Sequence, residues 1–388
     1  MPDRFDSVTV AIVARNAEAT IGRAIESALR AGAVNILLVD DASDDETLRA
    51  AKAVGAGALR IVENTAPVSV GHVRGLALEH IKTPFGLWLD ADDALAENHI
   101  GTMVAALEGG ADFAFAACEL MDGTTGKPLK TTGIPNFMRG PGALYRAFER
   151  NWLPSLHAGF RTNVARSVGY DPAFTCVEDY DFLLRAIVAG HAITLNDEPS
   201  YHYYHYAGTI SRNRAATGAH MAKALNKHDN EWLLSALERN GYAAGDAGCV
   251  LASKAMFEQD YDAALSFAIS AASADDRVVA YDAPARHISA FYAGTAAALR
   301  GYFADAMNIL EPLGTYMERP EVYNNVAVCF AECGDRSAAS LSLEMALALN
   351  PGYLDAKLNK QALMAGERLT ALTKHPLRVA ASRDAYER

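Results

Sequence analysis

At 388 residues the chain is long enough for two domains, because single hydrophobic cores stop growing before that length. With 51% hydrophobic and 21% charged residues it has a globular, not a disordered, composition. A formal net charge of −12 argues against nucleic acid or an anionic membrane as the main partner, and five scattered cysteines argue against a disulfide framework.

The chain opens "MPDRFDSVTVAIV", too polar for a signal peptide, and no apolar run reaches the roughly 20 residues that span a bilayer. A cytoplasmic protein without a transmembrane segment is expected. "SVTVAIVA" reads as a buried parallel strand. "EATIGRAIESALRAG" puts Ile21, Ala24, Ile25, Ala28 and Leu29 on one helical stripe that stops at Gly32. Strand "NILLVDDAS", helix "DDETLRAAKAVGAG", strand "LRIVEN", helix "VGHVRGLALEHIK" and strand "FGLWLDADD" follow. Such βα units build a mostly parallel sheet covered by helices on both faces, with ligands beyond the carboxyl ends of the strands. Asp40 and Asp41 therefore share a rim with Asp90, Asp92 and Asp93.

From about Asn98 to Tyr206 the pattern is mixed: a strand in "ADFAFAACELMD", a Gly/Pro/Thr-rich loop, a helix starting at "ALYRAFERN", a helix in "FTCVEDYDFLLRAIVAG", and the extended "PSYHYYHYAGTISR". After about residue 215 strand signals vanish and alanine-rich helix pairs take over. In "PEVYNNVAVCFAECGDRSAASLSLEMALALNP", Tyr323, Val326, Ala327, Phe330, Gly334, Ala339, Leu343, Ala346 and Pro351 match the tetratricopeptide pattern. An earlier copy aligns Gly301, Ala306 and Leu310; a weaker one aligns Ala264. Cys329 and Cys333, four apart with no partner histidine, read as small buried hydrophobes. The expected organisation is an α/β domain over residues 1–215, a helical linker over 216–245 and tetratricopeptide-like repeats over 246–388.

"GLWLDADDAL" crowds three carboxylates into four positions. As isolated loop acids or helix caps they would be solvated; at a strand end, beside a second Asp pair, they suit a hard divalent cation that also grips a diphosphate. Together "VTVAIVARNAEATIGRAIESAL", "ILLVDDASDDET", "GLWLDADDAL" and "CVEDYDFLLR" resemble the family 2 glycosyltransferases of GT-A fold over about residues 7–215. The resemblance implies that Asp41, with Asp40 beside it, contacts the base or ribose of a nucleotide-sugar. It implies that the loop from Ala14 through Asn16 to Glu18 runs along the base, and that Asp90 lies near the ribose. Asp92 would hold Mn²⁺ or Mg²⁺, with Asp93 and His205 as further ligands, and Asp179 would be the catalytic base with Glu178 at its side. Where the family carries Arg and Asn before the acidic strand, this chain has His72 and Val73, so His72 or Arg74 must supply the diphosphate contact. Arg212 and Arg214 are further candidates for phosphate; His202 belongs to the same aromatic stretch as His205.

The chemistry stands on its own terms. A metal on the diphosphate takes up the leaving group's charge. A carboxylate on the opposite face removes the acceptor proton, and a single in-line attack inverts the anomeric centre. A Glu-Asp pair at a helix start can also be a plain dipole-satisfying cap. A response-regulator receiver fails because a full strand–helix unit precedes "ILLVDDAS", and a sugar nucleotidyltransferase fails for want of a Gly-rich phosphate loop. The expected activity is inverting, metal-dependent transfer from a nucleotide-sugar, a UDP-sugar foremost, to a glycan, lipid-linked or protein acceptor. The repeats would bind the acceptor, a protein partner or a second copy. The alternative is an inactive scaffold that works through its helices.

Overall fold

The computed structural model describes residues 5–140, 142–154, 157–206 and 214–377. The chain forms two compact units, residues 1–139 with 151–224 and residues 140–150 with 225–388.

The first unit alternates β1 (Val8–Ala14), α1 (Ile21–Arg30), β2 (Ile36–Asp40), α2 (Thr47–Gly55), β3 (Leu59–Glu63), α3 (Val70–His80) and β4 (Phe85–Trp88). It continues through β5 (Ala94–Leu95), α4 (His99–Glu108), β6 (Phe113–Asp122), β7 (Pro128–Thr132), β8 (Gly159–Arg161), α5 (Thr162–Val168), α6 (Glu178–Val188), β9 (Ile193–His205) and α7 (Arg214–Leu225). The strands make one sheet in the order β3-β2-β1-β4-β8-β6-β9-β5, with β7 on β6. β1 pairs in parallel with β2 and β4, and β2 in parallel with β3. These central strands are apolar on both faces: Val8, Val10, Ile12, Leu38 and Leu87 are fully buried in one cluster with Ile21, Ala24 and Ile25 of α1, and Leu37 is buried on the opposite face. The edge strand β3 is only half-buried and carries Arg60 and Glu63, charges that discourage further strand pairing.

Beyond β4 the sheet turns mixed. β8 runs antiparallel to β4 and β6, while β9 follows β6 in parallel across irregular register at Ala116–Cys118. The acidic run is a turn, not a strand end: β4 stops at Trp88, and β5 returns to pair antiparallel with β9. That turn is pinned at both ends by hydrogen-bonded strands, which fixes where its carboxylates sit.

Gly71 sets the position of α3. Its N–H donates to Phe174 O at 3.1 Å, and a Cβ placed there would lie 2.1 Å from Asp171 O. Gly71→Ala is therefore expected to push the 171–174 loop off α3, costing about 1–3 kcal/mol as overpacking does. Melting temperature checks this; an unchanged value would mean that the loop yields freely.

The second unit holds the 3-10 helix Ala143–Phe148, α8 (Asn230–Arg239), α9 (Ala244–Glu258), α10 (Tyr261–Ala271), α11 (Ala285–Leu299), α12 (Phe303–Tyr316), α13 (Pro320–Glu332), α14 (Arg336–Leu349) and α15 (Leu354–Met364). "ALYRAFERN" thus forms 3-10 rather than α-helix. A two-residue ribbon, β10 (Arg277–Val278) with β11 (Ala283–Pro284), corrects the expectation of no strands after residue 215. Asp229, Asp260 and Asp335 cap α8, α10 and α14 by accepting from the N–H three residues on. Ala264, Ala306 and Ala339, the small residues aligned in the expected repeats, are fully buried, as are Leu310 and Leu343. Cys329 is buried, but Cys333 is exposed, because it sits past the end of α13 and not on its packed face.

Candidate active site

Two rim loops interlock at the carboxyl ends of β1 and β2. Asn16 takes a positive φ of 51°, its N–H donates to Ser43 Oγ at 3.0 Å, and its side-chain oxygen accepts from Asp44 N at 3.0 Å. Ala17 N donates to Thr47 Oγ1 at 2.7 Å, while Glu18 and the 45–46 segment exchange bonds in both directions, Glu18 N to Asp45 Oδ2 at 3.1 Å and Glu46 N to Glu18 Oε2 at 3.0 Å. Ala14 O accepts from Asp41 N at 2.8 Å. Asp41 is buried and accepts from Asn64 Nδ2 at 3.0 Å and Val68 N at 3.1 Å, so it also organises the loop after β3. Asp40 accepts from Ser43 N at 3.0 Å and Ser43 Oγ at 2.6 Å. Ala14, Asn16, Glu18 and Asp41 thus belong to one preformed surface.

The acidic turn is built around Arg74. Its side chain is 6% exposed, Nε donates to Glu178 Oε1 at 2.8 Å and a terminal nitrogen donates to Asp90 Oδ1 at 2.9 Å. The guanidinium lies 4.8 Å from the Trp88 ring centroid. Asp90 Oδ2 pairs with His157 Nε2 at 2.7 Å. His157 stacks on Tyr201, centroids 4.6 Å apart and planes at 2°. The buried Tyr201 hydroxyl accepts from Asp90 N at 3.2 Å and donates to Asp93 Oδ2 at 2.8 Å, and Tyr204 N donates to Asp93 Oδ1 at 2.8 Å. One network therefore joins α3, the acidic turn, His157 two residues ahead of β8, β9 and the start of α6.

Charge in this network is unevenly compensated. Burial alone would raise the Asp90 carboxyl, but the His157 and Arg74 charges hold it well below the usual carboxylate range. Burial works against a charged His157, yet Asp90 lifts its pKa above the ordinary histidine value. Burial and then the neighbouring Asp90 charge push Asp92 up, and the same two causes push Asp93 up further. Glu178 is also raised, by burial and by Asp179, with Arg74 opposing. Asp92 is half-buried and has no ion pair among the described residues. Carboxylates left short of positive charge are what a bound cation would satisfy, so the donor set fits a divalent ion. One donor atom each from Asp90, Asp93 and His157 lies within 4.8 Å of the others.

Asp179 follows Glu178 in the first turn of α6, half-buried, with Oδ1 accepting from Tyr180 N at 2.7 Å. The residue ahead of them, Val177, has φ of 66°. A β-branched residue in that region is strained, and such strain tends to collect where function fixes the backbone.

Other candidates stand apart. His72 is exposed on the first turn of α3. Arg74, expected to reach phosphate, directs these two nitrogens at protein carboxylates. His205 ends β9 opposite Asp122, outside the Asp90–Asp93–His157 group, and His202 approaches Glu119 at 3.5 Å. Arg212 lies outside the described residues, and Arg214 begins α7. Sequence reading missed His157, which sits in "LPSLHAGF" with no acidic residue in that stretch to mark it. It also missed Arg23 of α1, which donates to the Asp92 carbonyl and, at 2.9 Å, to Tyr206 Oη. Tyr201 lay within the aromatic stretch, but nothing there marked its hydroxyl.

This is a GT-A-like sheet with an acidic turn facing a helix that begins in carboxylates. Residues 9–168 match Glycosyl transferase family 2. It is similar to two proteins of Rhizobium meliloti (strain 1021). Succinoglycan biosynthesis protein ExoO is 26% identical over 54% of this chain and 64% of its own length, and succinoglycan biosynthesis protein ExoU is 26% identical over 57% and 66%. The chain therefore spans just under two thirds of each of these relatives. Among solved structures it is similar to S. aureus TarS 1–349 in complex with UDP-GlcNAc, at 12% identity over 93% of this chain and 92% of that one, TM-score 0.49. Mannosyltransferase PcManGT from Pyrobaculum calidifontis, in complex with GDP-Man and Mn²⁺, is 16% identical over 86% of both chains, TM-score 0.46. No helix among the described residues is long and apolar enough to cross a membrane.

Proposed function

We propose that the chain moves a sugar from a nucleotide-sugar, a UDP-sugar foremost, onto an acceptor hydroxyl with inversion, aided by Mn²⁺ or Mg²⁺, in the cytoplasm. The observation that carries this reading is the buried Arg74 fork, which ties the donor-side Asp90 to Glu178 beside Asp179. Donor carboxylates and a base candidate are thereby kept within one arm's reach of a common rim.

The chain's own residues divide the work. The interlocked 14–18 and 41–47 loops receive the nucleotide base, with Asp41 toward the base or ribose. Asp90, kept ionised by Arg74 and His157, accepts from the ribose. Asp92, with Asp93 behind it, would hold the cation, which when bound supplies positive charge to the departing diphosphate. Asp179 accepts the acceptor's proton, and Glu178 fixes the start of α6 through Arg74. The helical unit, read as tetratricopeptide-like repeats over 246–388, binds acceptor or partner. Glycan, lipid-linked sugar and protein are the acceptor classes in view.

Asp179→Asn keeps the shape and removes the base. Transfer is expected to fall by roughly 10²–10⁴-fold, the usual worth of a general base. The thermal shift given by donor and Mn²⁺ should persist, because ligand binding to the native state raises its melting point. Asp92→Asn should abolish the Mn²⁺-dependent part of that shift. UDP and GDP release from a panel of nucleotide-sugars gives the rate. Parental turnover in either variant, or no release from any donor, would overturn the reading.

A further inference from the structure

The three carboxylates of the acidic turn are not equally free. Asp90 has one oxygen on Arg74 and the other on His157, and Asp93 has one on the Tyr201 hydroxyl and the other on Tyr204 N. The Asp92 carboxylate accepts from no other residue among those described. Asp92 sits at the corner of the turn that Asp93 N closes onto Asp90 O at 3.1 Å. A free carboxylate aims only as well as the backbone that carries it. The peptide plane after Asp92 is held at both ends: its N–H goes to Asp90 O, and its carbonyl accepts from a terminal nitrogen of Arg23. That same nitrogen donates to Tyr206 Oη at 2.9 Å, and the guanidinium carbon lies 3.7 Å from the Tyr204 ring centroid. One turn further along α1, Ser27 Oγ accepts from Leu95 N at 3.0 Å. One face of α1 therefore grips the turn at residues 92 and 95.

Helix stability does not account for Arg23. It falls in the first turn of α1, where the helix dipole disfavours a cation, and that turn holds no acid to offset it. It makes no ion pair among the described residues; its hydrogen bonds go to a backbone carbonyl and a phenol. Its effect is to fix the plane that follows Asp92, and with it the direction in which the Asp92 side chain leaves the turn. Groups that stand behind a metal ligand without touching the metal orient that ligand, and losing one costs about 10–100-fold in metal affinity or activity. Charge alone predicts the reverse. A guanidinium beside the acids repels a second cation, so its removal would tighten metal binding. The two effects have opposite signs, which makes them separable.

We propose that Arg23 is a positioning residue for the cation: by holding the Asp92 carbonyl against Tyr204 and Tyr206 it presents the Asp92 carboxylate to Mn²⁺ or Mg²⁺, while Ser27 secures the far end of the same turn. The inference rests on the reading of Asp92 as the cation's ligand and adds the group that aims it.

The test uses full-length protein. Arg23→Met keeps the apolar stem over Tyr204 and removes every donor. Mn²⁺ is titrated into parent and variant at saturating UDP, and bound metal is read from loss of the free-Mn²⁺ paramagnetic resonance signal. Half-saturation should rise by roughly 10–100-fold in the variant. Sugar transfer should fall at low Mn²⁺ and recover as Mn²⁺ is raised. Unchanged half-saturation with a lower melting temperature would make Arg23 a structural residue only, and tighter binding would make it a bare charge; either result overturns the proposal. Asp92→Asn, run alongside, separates this inference from the reading beneath it. Lost Mn²⁺ binding there, with parental binding in Arg23→Met, removes the role of Arg23 alone, whereas parental binding in Asp92→Asn takes both down. If Arg23→Met does not fold, Tyr206→Phe decides, because it deletes only the hydroxyl that Arg23 donates to: weaker Mn²⁺ binding supports the proposal, and unchanged binding rejects it.

Discussion

Arg74→Met should destabilise the sheet unit by about 3–5 kcal/mol, the cost of breaking a buried ion pair from one side. The substitution keeps the length and apolar stem but strips Glu178 of its cation, with Asp179 beside it, and leaves Asp90 with His157 alone. The contact with Trp88 goes too. For a unit of this size the melting temperature should fall by roughly 10 °C. Arg74→Lys separates charge from geometry. A single ammonium cannot serve both carboxylates as the planar fork does, so stability should be hurt less while sugar transfer drops by roughly 10–100-fold through misplacement of the rim. Melting curves with nucleotide release on both variants make the comparison. A methionine variant that melts with its parent would mean that the two carboxylates are separately solvated and the fork joins nothing.

Much of this site was legible, and its limits have a physical cause. β1, β2 and β4 announce themselves because strands buried on both faces must be continuous apolar runs, and β2 and β4 run on into aspartates. Asp41, Asp90 and Asp179 could be placed from short local motifs. Arg74 was visible, but its role was not. A side chain's partner depends on which elements lie across from it, and Glu178 is 104 residues away. His157 shows the same limit more sharply, since it meets Asp90 only because β8 enters the sheet antiparallel beside β4. Local pattern carries the period of an element and the chemistry of a turn. It does not carry the order in which mixed-sheet strands are laid down, and that order brings His157 and Tyr201 to the acids.

In the helical unit, Arg146→Met is expected to cost another 3–5 kcal/mol or so, for a reason that acid should partly reverse. Arg146 is 3% exposed and pairs with Glu149 at 2.9 Å and with Asp246; those carboxylates are 0% and 9% exposed. One cation cannot neutralise two buried acids. Burial raises the Asp246 carboxyl, Arg146 opposes and Glu149 adds to it, leaving Asp246 pushed up to about 6, and one of its oxygens has no donor. The native state thus holds this proton more tightly than the unfolded chain, where the ordinary value is 3.8. The stability that protonation contributes is complete below the unfolded value and is lost as pH rises from there through about 6. Asp246→Asn, neutral at every pH, should therefore gain on the parent as pH rises from 4.5 to 7.5, ending at least as stable, in melting curves recorded across that range. Arg146→Met should show the opposite sensitivity: with both carboxylates unpaired, lowering the pH toward 5 should recover part of the loss. A parent and Asp246→Asn that melt in parallel at every pH would show that Arg146 satisfies both acids after all.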